Sequence, residues 1–204
     1  MPFTKSSSLS IILVVVSLCN SSSGVPYSVL STTKVYTDAE AYRVYAVILR
    51  ENRAYTEAAS VIIRQKTVPY SPLPPGDCVK PSPEYSALVA LALGDYERVN
   101  RSRWNLSRLF TVDKPYELAP ETEFAGRFWR PSSALGRYMR NHQNFPGIVE
   151  LSAVGFNPEK TIAVVSMNDN CGPMCSGGDM KVLRKEGGQW RQLIAEGLGC
   201  FWKS

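Results

Sequence analysis

Residues 171–178, with the sequence CGPMCSGG, lie between two runs that are typical of β-strands. Residues 161–167 precede this stretch and residues 180–184 follow it, and both runs are rich in branched and apolar side chains. Glycine and proline between them favour a turn. We therefore expect an antiparallel hairpin here, and this hairpin constrains how the C-terminal part of the chain can fold.

Further strand-like runs surround the hairpin. Residues 147–156 come before it, and Asn157-Pro158 predicts a turn between them and the next run. Residues 189–195 follow a turn at Glu186-Gly187-Gly188. Short strands joined by short turns predict an antiparallel meander over residues 147–204.

The preceding part of the chain predicts helices. Thr37 and Glu40 have the spacing of a capping box, and apolar residues recur at helical spacing over residues 41–53. Ser82-Pro83-Glu84 predicts the start of a second helix that ends near Asn100. A short helix is expected near residues 133–141, and strands are expected over residues 59–68 and around residues 109–110.

No alternation of strands and helices typical of βαβ units is present. We therefore expect an α+β fold, in which two to three helices pack on one face of an antiparallel sheet that ends in the C-terminal meander. Residues 25–204 are expected to form a single domain.

Residues 1–23 have the pattern of a secretory signal peptide. Lys5 is followed by an apolar run at residues 11–18 and by small polar residues, with cleavage expected after Ser23. No later segment reaches the ~20 apolar residues of a spanning helix. The mature chain is therefore expected to be secreted or periplasmic, without a transmembrane helix. The alternative is a lipoprotein signal that anchors the chain at Cys19.

The chain is mildly basic, with 23 Lys and Arg against 18 Asp and Glu and a net charge of +5. Removal of Lys5 with the signal lowers this to about +4. Such a charge allows weak attraction to anionic partners.

Cysteine usage fits an oxidising compartment. Without Cys19 the chain keeps four cysteines, which allow three pairings: Cys78, Cys171, Cys175 and Cys200. The short Gly-Pro loop can bring Cys171 and Cys175 within bridging distance, and this leaves Cys78 to pair with Cys200. A four-thiolate zinc site is the alternative, which export disfavours.

The C-terminal residues resemble the C-terminal hairpins of uncharacterised exported bacterial proteins. The shared patterns are Leu151-Ser152-x-Val154-Gly155-Phe156-Asn157, Ala163-Val164-Val165, Cys171-Gly172-x-x-Cys175-x-Gly177-Gly178 and Leu183-x-Lys185-x3-Gln189-Trp190. Ser176 stands where the usual repeat has a second glycine. The resemblance implies export and a disulfide-stapled sheet, and it implies no activity.

Catalytic motifs are sparse. The chain has one histidine, His142, whereas a hydrolase triad or a zinc enzyme would need further partners for it. Four acids in the irregular middle could provide a carboxylate pair for glycoside cleavage: Glu117, Glu121, Glu123 and Glu150. Asn168, Asp169, Asn170 and Asp179 collect oxygen atoms near the hairpin tip, which fits a polar turn or, alternatively, a calcium site. No cofactor is expected.

One cluster has the composition of a binding surface. It combines a tryptophan with four arginines: Arg98, Arg101, Arg103, Trp104 and Arg108. Cations beside an exposed aromatic ring can hold an anionic surface, a glycan or an acidic protein. The alternative is that Trp104 packs inward and the cations complement a helix C-terminus.

Taken together, these patterns favour a non-catalytic binding or interaction module over a secreted hydrolase that uses carboxylates from residues 117–150. A hydrolase should have a buried acid with a raised pKa facing a second acid. A binding module should have an exposed patch of aromatic or arginine side chains.

Overall fold

A mixed eight-stranded sheet forms the centre of the fold. A computed structural model describes residues 34–52, 55, 59–68, 79, 81–124, 136, 140, 147–170, 176–193 and 201–203. The sheet contains β2 (Val61–Arg64), β4 (Tyr116–Ala119), β5 (Ile148–Leu151), β6 (Gly155–Phe156), β7 (Ile162–Asn170), β8 (Gly177–Glu186), β9 (Gln189–Gln192) and β10 (Phe201–Lys203). A second sheet consists of two parallel strands, β1 (Val35–Tyr36) and β3 (Asn105–Leu106). The helices whose bounds lie within the described residues are α1 (Ala39–Arg50), α2 (Ser86–Val99) and a 3₁₀ helix (Glu121–Phe124).

The expected α+β fold with a C-terminal strand meander is confirmed. Strands β5, β7, β8 and β9 pair in antiparallel fashion, and β10 pairs with β8. The turn between β8 and β9 places Gly187 and Gly188 at φ angles of 55° and 82°. Both angles lie in the left-handed region that a two-residue hairpin turn of type I′ requires. The sheet is not antiparallel throughout, because β2 pairs in parallel with β4 and β5.

Helices α1 and α2 lie on opposite faces of the sheet, whereas we expected the helices on one face. Alternate residues of β7 show this, because Ala163 and Val165 belong to the core cluster that contains α1, and Ile162 and Val164 belong to the cluster that contains α2. Residues 162–168 are all buried. A strand that is apolar on both faces must be covered on both faces, and one helix covers each.

The N-terminal ends of α1 and α2 differ from the predicted ones. Helix α1 uses a different N-cap residue, and α2 starts later than predicted. Asp38, rather than Thr37, is the N-cap of α1, and its Oδ1 atom accepts a hydrogen bond of 3.0 Å from the backbone nitrogen of Glu40. The segment at Pro83 forms a turn, and α2 begins at Ser86.

The expected strand over residues 147–156 is divided into β5 and β6. Side chains take the place of a neighbouring strand in the gap between them. The Tyr45 hydroxyl donates to the carbonyl oxygen of Ser152 at 2.6 Å. The Asn100 side chain bonds both backbone groups of Ala153, at 2.9 and 3.0 Å. The backbone polar groups of this buried irregular segment are therefore satisfied without a ladder.

The remaining expectations concern a strand near residues 109–110 and several features that are not described. Residues 109–110 are not in a strand, and the strands nearby are β3 and β4. Several predicted features lie outside the described residues: the signal peptide, His142 and the five cysteines. The expected helix near residues 133–141 also lies outside them, except at two positions. The disulfide pairing and the zinc alternative therefore remain predictions.

Candidate functional site

A cleft of about 660 Å³ opens between the start of α1, the second half of α2 and the strands β1 and β6. Its lining includes Arg98 and Trp104 from the predicted cluster. It also includes Val35 of β1 and Lys160 from the turn after β6. The residues that line the cleft thus come from segments that are far apart in the sequence.

The cleft is lined mainly by aromatic and aliphatic side chains. The rings of Tyr36 and Trp104 have centroids 5.9 Å apart, and the Tyr36 ring itself is buried. Val35 and Leu91 are 54% and 53% exposed. These are two of the three exposed large hydrophobic residues in the described part of the chain, and both line this cleft.

Trp104 is held firmly in the wall of the cleft. Its Nε1 atom donates to the carbonyl oxygen of Val99 at 2.9 Å, and its backbone nitrogen donates to Thr67 Oγ1 at 2.9 Å. The Nζ atom of Lys34 lies 5.4 Å from the centre of the ring. Trp104 is half-buried, so it packs inward in part and still contributes to the surface of the cleft.

Hydrogen bonds join Tyr36 in the cleft lining to Val154, the residue before β6. The Tyr36 hydroxyl accepts a hydrogen bond of 3.0 Å from the nitrogen of Val154 and donates to its carbonyl oxygen at 3.3 Å. Burial raises the pKa of Tyr36, although its hydrogen bond to Val154 opposes this effect. The phenol therefore stays neutral at physiological pH, and it is suited to hold the backbone rather than to exchange protons.

Two ion pairs border the cleft. Asp38 pairs with Lys160 at 2.8 Å, and Asp95 pairs with Arg98 at 2.5 Å. The remaining carboxylate oxygens are also engaged, because Asp38 caps α1 and Asp95 Oδ2 accepts from the nitrogen of Phe156 at 2.9 Å. All four acid oxygens thus accept intramolecular hydrogen bonds, whereas the cations keep further N–H groups.

The turn that carries Lys160 is closed by hydrogen bonds to the Asn157 side chain. Asn157 Oδ1 accepts from the nitrogens of Thr161 and Ile162, at 2.8 and 2.7 Å. Lys160 has a φ of 50°, and its ammonium group lies 5.2 Å from the centre of the Phe156 ring. The position of this cation is therefore set by the fold.

The predicted cluster is only partly brought together. Arg98 and Trp104 line the cleft. Arg103 is directed elsewhere, because its Nε atom donates to the carbonyl oxygen of Thr67 at 2.8 Å and its guanidinium pairs with Glu121. Arg101 and Arg108 are exposed and are not among the residues that line the cleft.

Three residues that line the cleft were not predicted from the sequence: Val35, Leu91 and Lys160. Leu91 could have been recognised from the sequence, because it is an apolar residue outside the apolar stripe of the predicted helix. Val35 and Lys160 have no comparable local signal, because only tertiary packing brings them into the cleft.

Two of the acids considered for hydrolysis bind one arginine. Arg64 pairs with Glu150 at 2.7 Å and with Glu121 at 2.6 Å. The side chains of Arg64 and Glu150 are each 10% exposed. Burial would raise the pKa of Glu121, but its hydrogen bond from Arg64 and the charges of Arg64 and Arg103 lower it overall. A proton donor needs the opposite shift. Glu117 and Glu123 lie on β4 and on the 3₁₀ helix.

The oxygen-rich hairpin tip is divided between the two faces of the sheet. Asn168 and Asp169 are adjacent in β7, so their side chains point to opposite faces. Within the described residues no group of three or more acidic, histidine or cysteine side chains is placed to hold a metal ion. The oxygen atoms of Asn168, Asp169, Asn170 and Asp179, which fit a polar turn or alternatively a calcium site, therefore do not all lie on one face of the sheet.

The pKa of the Asp169 carboxyl group is raised. Burial is the main cause, a hydrogen bond of 2.7 Å from Asn52 opposes it, and the charge of Asp179 adds to it. Asn52 follows the C-terminal end of α1, whereas the cleft lies at its N-terminal end. This acid is therefore separate from the cleft.

Comparisons with known proteins identify no relative. No protein-family model matches the chain, and no curated protein and no solved structure shows significant similarity to it. In the described part of the chain no helix is long and apolar enough to cross a membrane.

Proposed function

We propose that this protein is an exported, non-catalytic binding module whose cleft holds an apolar side chain of an acidic partner protein. The observation that carries the proposal is the placement of Val35 and Leu91. Both are more than half exposed, and both flank the same cleft. Exposed apolar side chains that are grouped in a concave site, with a few polar groups around them, are typical of binding surfaces.

The charges around the cleft support an acidic partner. Because the oxygens of Asp38 and Asp95 already accept hydrogen bonds, the groups left for a partner are mainly donors on Lys34, Arg98 and Lys160. The chain without Lys5 of the signal peptide also keeps a net charge of about +4. Complementary charge speeds association and disfavours basic partners.

A protein partner suits the cleft better than a glycan. Sugar hydroxyl groups need acceptors as well as donors, and the carboxylates here are occupied within the protein. Aliphatic groups from Val35, Leu91 and Val99 line the cleft beside Trp104. Such a lining matches an apolar amino-acid side chain, which buries its surface there.

The competing proposal of a carboxylate-dependent hydrolase has less support. Arg64 holds both Glu121 and Glu150, which suits a structural ion-pair network. Asp169 has a raised pKa, but it lies at the other end of α1 from the cleft. A binding role therefore uses the cleft and its charges more fully than hydrolysis does.

Export and disulfide formation complete the proposal. Residues 1–23 act as a signal peptide that directs the chain to a secreted or periplasmic location, as in the exported bacterial proteins that the C-terminal hairpin resembles. Bridges then join Cys171 to Cys175 and Cys78 to Cys200. Intact mass with and without reductant, on protein purified from its native compartment, would give the cleavage point and a change of about 4 Da for two bridges. An added acyl mass would instead indicate anchoring at Cys19, and four free thiols would contradict the bridges.

Selection from a random peptide library tests the binding role. We expect peptides with an apolar residue near Asp or Glu to enrich on the wild-type protein. Leu91→Gln should weaken their binding at least about tenfold, because the anchor loses an apolar contact. Leu109→Gln is the matched control, since Leu109 is 47% exposed and does not line the cleft. It should change the Kd less than about twofold.

Three outcomes would overturn the proposal. They are the absence of enriched peptides, equal binding to Leu91→Gln and the wild type, and the enrichment of basic peptides only. Release of product from a panel of glycoside and ester substrates, lost in Glu150→Gln, would favour the hydrolase instead.

A further inference from the structure

Strand β1 presents an open edge beside the cleft. It pairs in parallel with β3, in a sheet of only two strands. The nitrogen of Asn105 donates to the carbonyl oxygen of Lys34 at 2.8 Å, and Asn105 is the register partner of Val35. In this arrangement Asn105 bonds the residues before and after Val35. The N–H and C=O groups of Val35 therefore point away from β3.

These two groups of Val35 have no hydrogen bond within the part of the chain that the structure describes. The strand borders the cleft along its length, because Val35 and Tyr36 both line it. An edge strand with open backbone groups is a template for pairing with another chain. Here that template lies next to the apolar lining and the cations.

We propose that the partner binds as an extended segment that adds a strand to β1 at Val35, an inference that rests on the proposed binding function. The backbone of one partner residue exchanges two hydrogen bonds with Val35. An apolar side chain of the segment contacts Val35, Leu91 and Trp104, and a carboxylate binds Arg98 or Lys160. Strand addition gives affinity through the backbone and specificity through alternate side chains.

The charge distribution makes an acidic segment the fitting occupant. Lys34 is the residue before the open strand, and Lys160 lines the cleft and pairs with Asp38. Residues two apart in a strand point to the same side. We therefore expect the selected peptides to carry Asp or Glu two positions from the apolar anchor.

N-methylation of an enriched synthetic peptide, one position at a time, tests the mode of binding. Methylation removes a backbone donor and leaves the side chain unchanged. We expect a loss of at least about tenfold in affinity at the residue opposite Val35, and smaller effects at its two neighbours. Loss of less than about twofold at every position would overturn strand addition.

Variants of Val35 provide the matching test on the protein. Val35→Pro removes the outward N–H group and keeps the groups that bond Asn105, whereas Val35→Ala removes apolar surface and keeps the N–H group. We expect Val35→Pro to bind the peptide at least about fivefold more weakly than Val35→Ala, provided that both melt as single transitions. Equal binding by the two folded variants would overturn the inference, and if Val35→Pro does not fold, the methylated peptides decide.

The two proposals can fail separately. If Leu91→Gln abolishes binding while every methylated peptide still binds, the cleft is a binding site and strand addition is wrong. If Leu91→Gln binds as well as the wild type, the proposed function itself is wrong.

Discussion

Gly155 of β6 lies directly against the backbone of Tyr96 in α2. A Cβ atom at position 155 would lie 2.3 Å from the nitrogen of Tyr96 and 2.4 Å from its Cα atom. The Tyr96 hydroxyl is within 3.0 Å of Ser166 Oγ, so the helix is also bonded to β7. This contact sets the distance between α2 and the sheet, and α2 and β6 both line the cleft.

Gly155→Ala should therefore be strongly destabilising. The new methyl group would meet backbone atoms, which cannot rotate away, so α2 would have to shift from the sheet. We expect the free energy of unfolding to fall by about 3 kcal/mol, near the upper end of the usual effects of overpacking. Urea unfolding followed by circular dichroism would measure this change.

Gly94→Ala is the matched control for that substitution. Gly94 lies in the same helix, and a Cβ atom there would have no atom within 4 Å. Alanine favours helix over glycine, so we expect a gain of about 1 kcal/mol. If the two variants had the same stability, the close approach at Gly155 would not determine the packing of α2.

Tyr36→Phe should loosen the segment between β5 and β6. The substitution removes a buried hydroxyl group that bonds both backbone groups of Val154. The peptide groups left without a partner should lower the free energy of unfolding by about 2 kcal/mol. Faster exchange of the Val154 amide hydrogen is the specific measurement. Tyr116→Phe is the control, since Tyr116 packs against the same core and its hydroxyl has no hydrogen bond within the described residues.

The split between β5 and β6 also shows what local pattern can predict. Residues 147–156 are nearly all apolar, so their composition predicts a strand without indicating where it breaks. The break depends on Tyr36, Tyr45 and Asn100, which are remote in sequence. The meander was predictable because its turns use Gly187-Gly188 and Asn157-Pro158, whose signals are local.

The side of the sheet on which each helix lies was harder to predict. In β7 both sets of alternate residues are apolar, which indicates a strand covered on both faces. Applied to residues 162–167, this rule would have placed α1 and α2 on opposite faces.

In the cleft, Arg98 and Trp104 were predictable from a local cluster of cations and an aromatic ring. Val35 was not, because its exposure depends on the pairing of β1 with β3.

Arg64→Met should leave a buried charge without a partner. Glu150 is largely buried and pairs with Arg64, so its carboxylate would lose the nearest cation. We expect a loss of about 3 kcal/mol in the free energy of unfolding. The double variant Arg64→Met/Glu150→Leu should recover stability to within about 1 kcal/mol of the wild type, because the pair is then replaced by apolar groups.

Arg43→Ala is the comparison for an exposed ion pair. Arg43 pairs with Glu40 at 2.8 Å and its side chain is 64% exposed. Its removal should change stability by less than about 0.5 kcal/mol. If the double variant at positions 64 and 150 were as unstable as Arg64→Met alone, the buried charge would not explain the loss.

Asp169→Asn should change how stability depends on pH. Because burial raises the pKa of Asp169 in the folded state, the folded protein holds this proton more tightly than the unfolded chain does. The contribution of Asp169 to the free energy of unfolding is therefore greatest below the unfolded pKa of about 3.9, and this contribution falls as pH rises through the folded pKa. Asparagine has no charge to bury and can still accept from Asn52. The difference in stability between Asp169→Asn and the wild type should therefore become more favourable to the variant from pH 4 to pH 7.

Asp113→Asn is the control of opposite sign. A hydrogen bond from Tyr55 is the main cause of the lowered pKa of Asp113. Its contribution to stability is present above the unfolded pKa of about 3.9 and is lost as pH falls below that value through the folded pKa, so Asp113→Asn should be less stable than the wild type at pH 7 and closer to it near about pH 3. Urea unfolding of Asp169→Asn between pH 4 and pH 7, and of Asp113→Asn between about pH 3 and pH 7, measures the two trends. Parallel curves for Asp169→Asn and the wild type would mean that Asp169 titrates alike in the folded and unfolded chains.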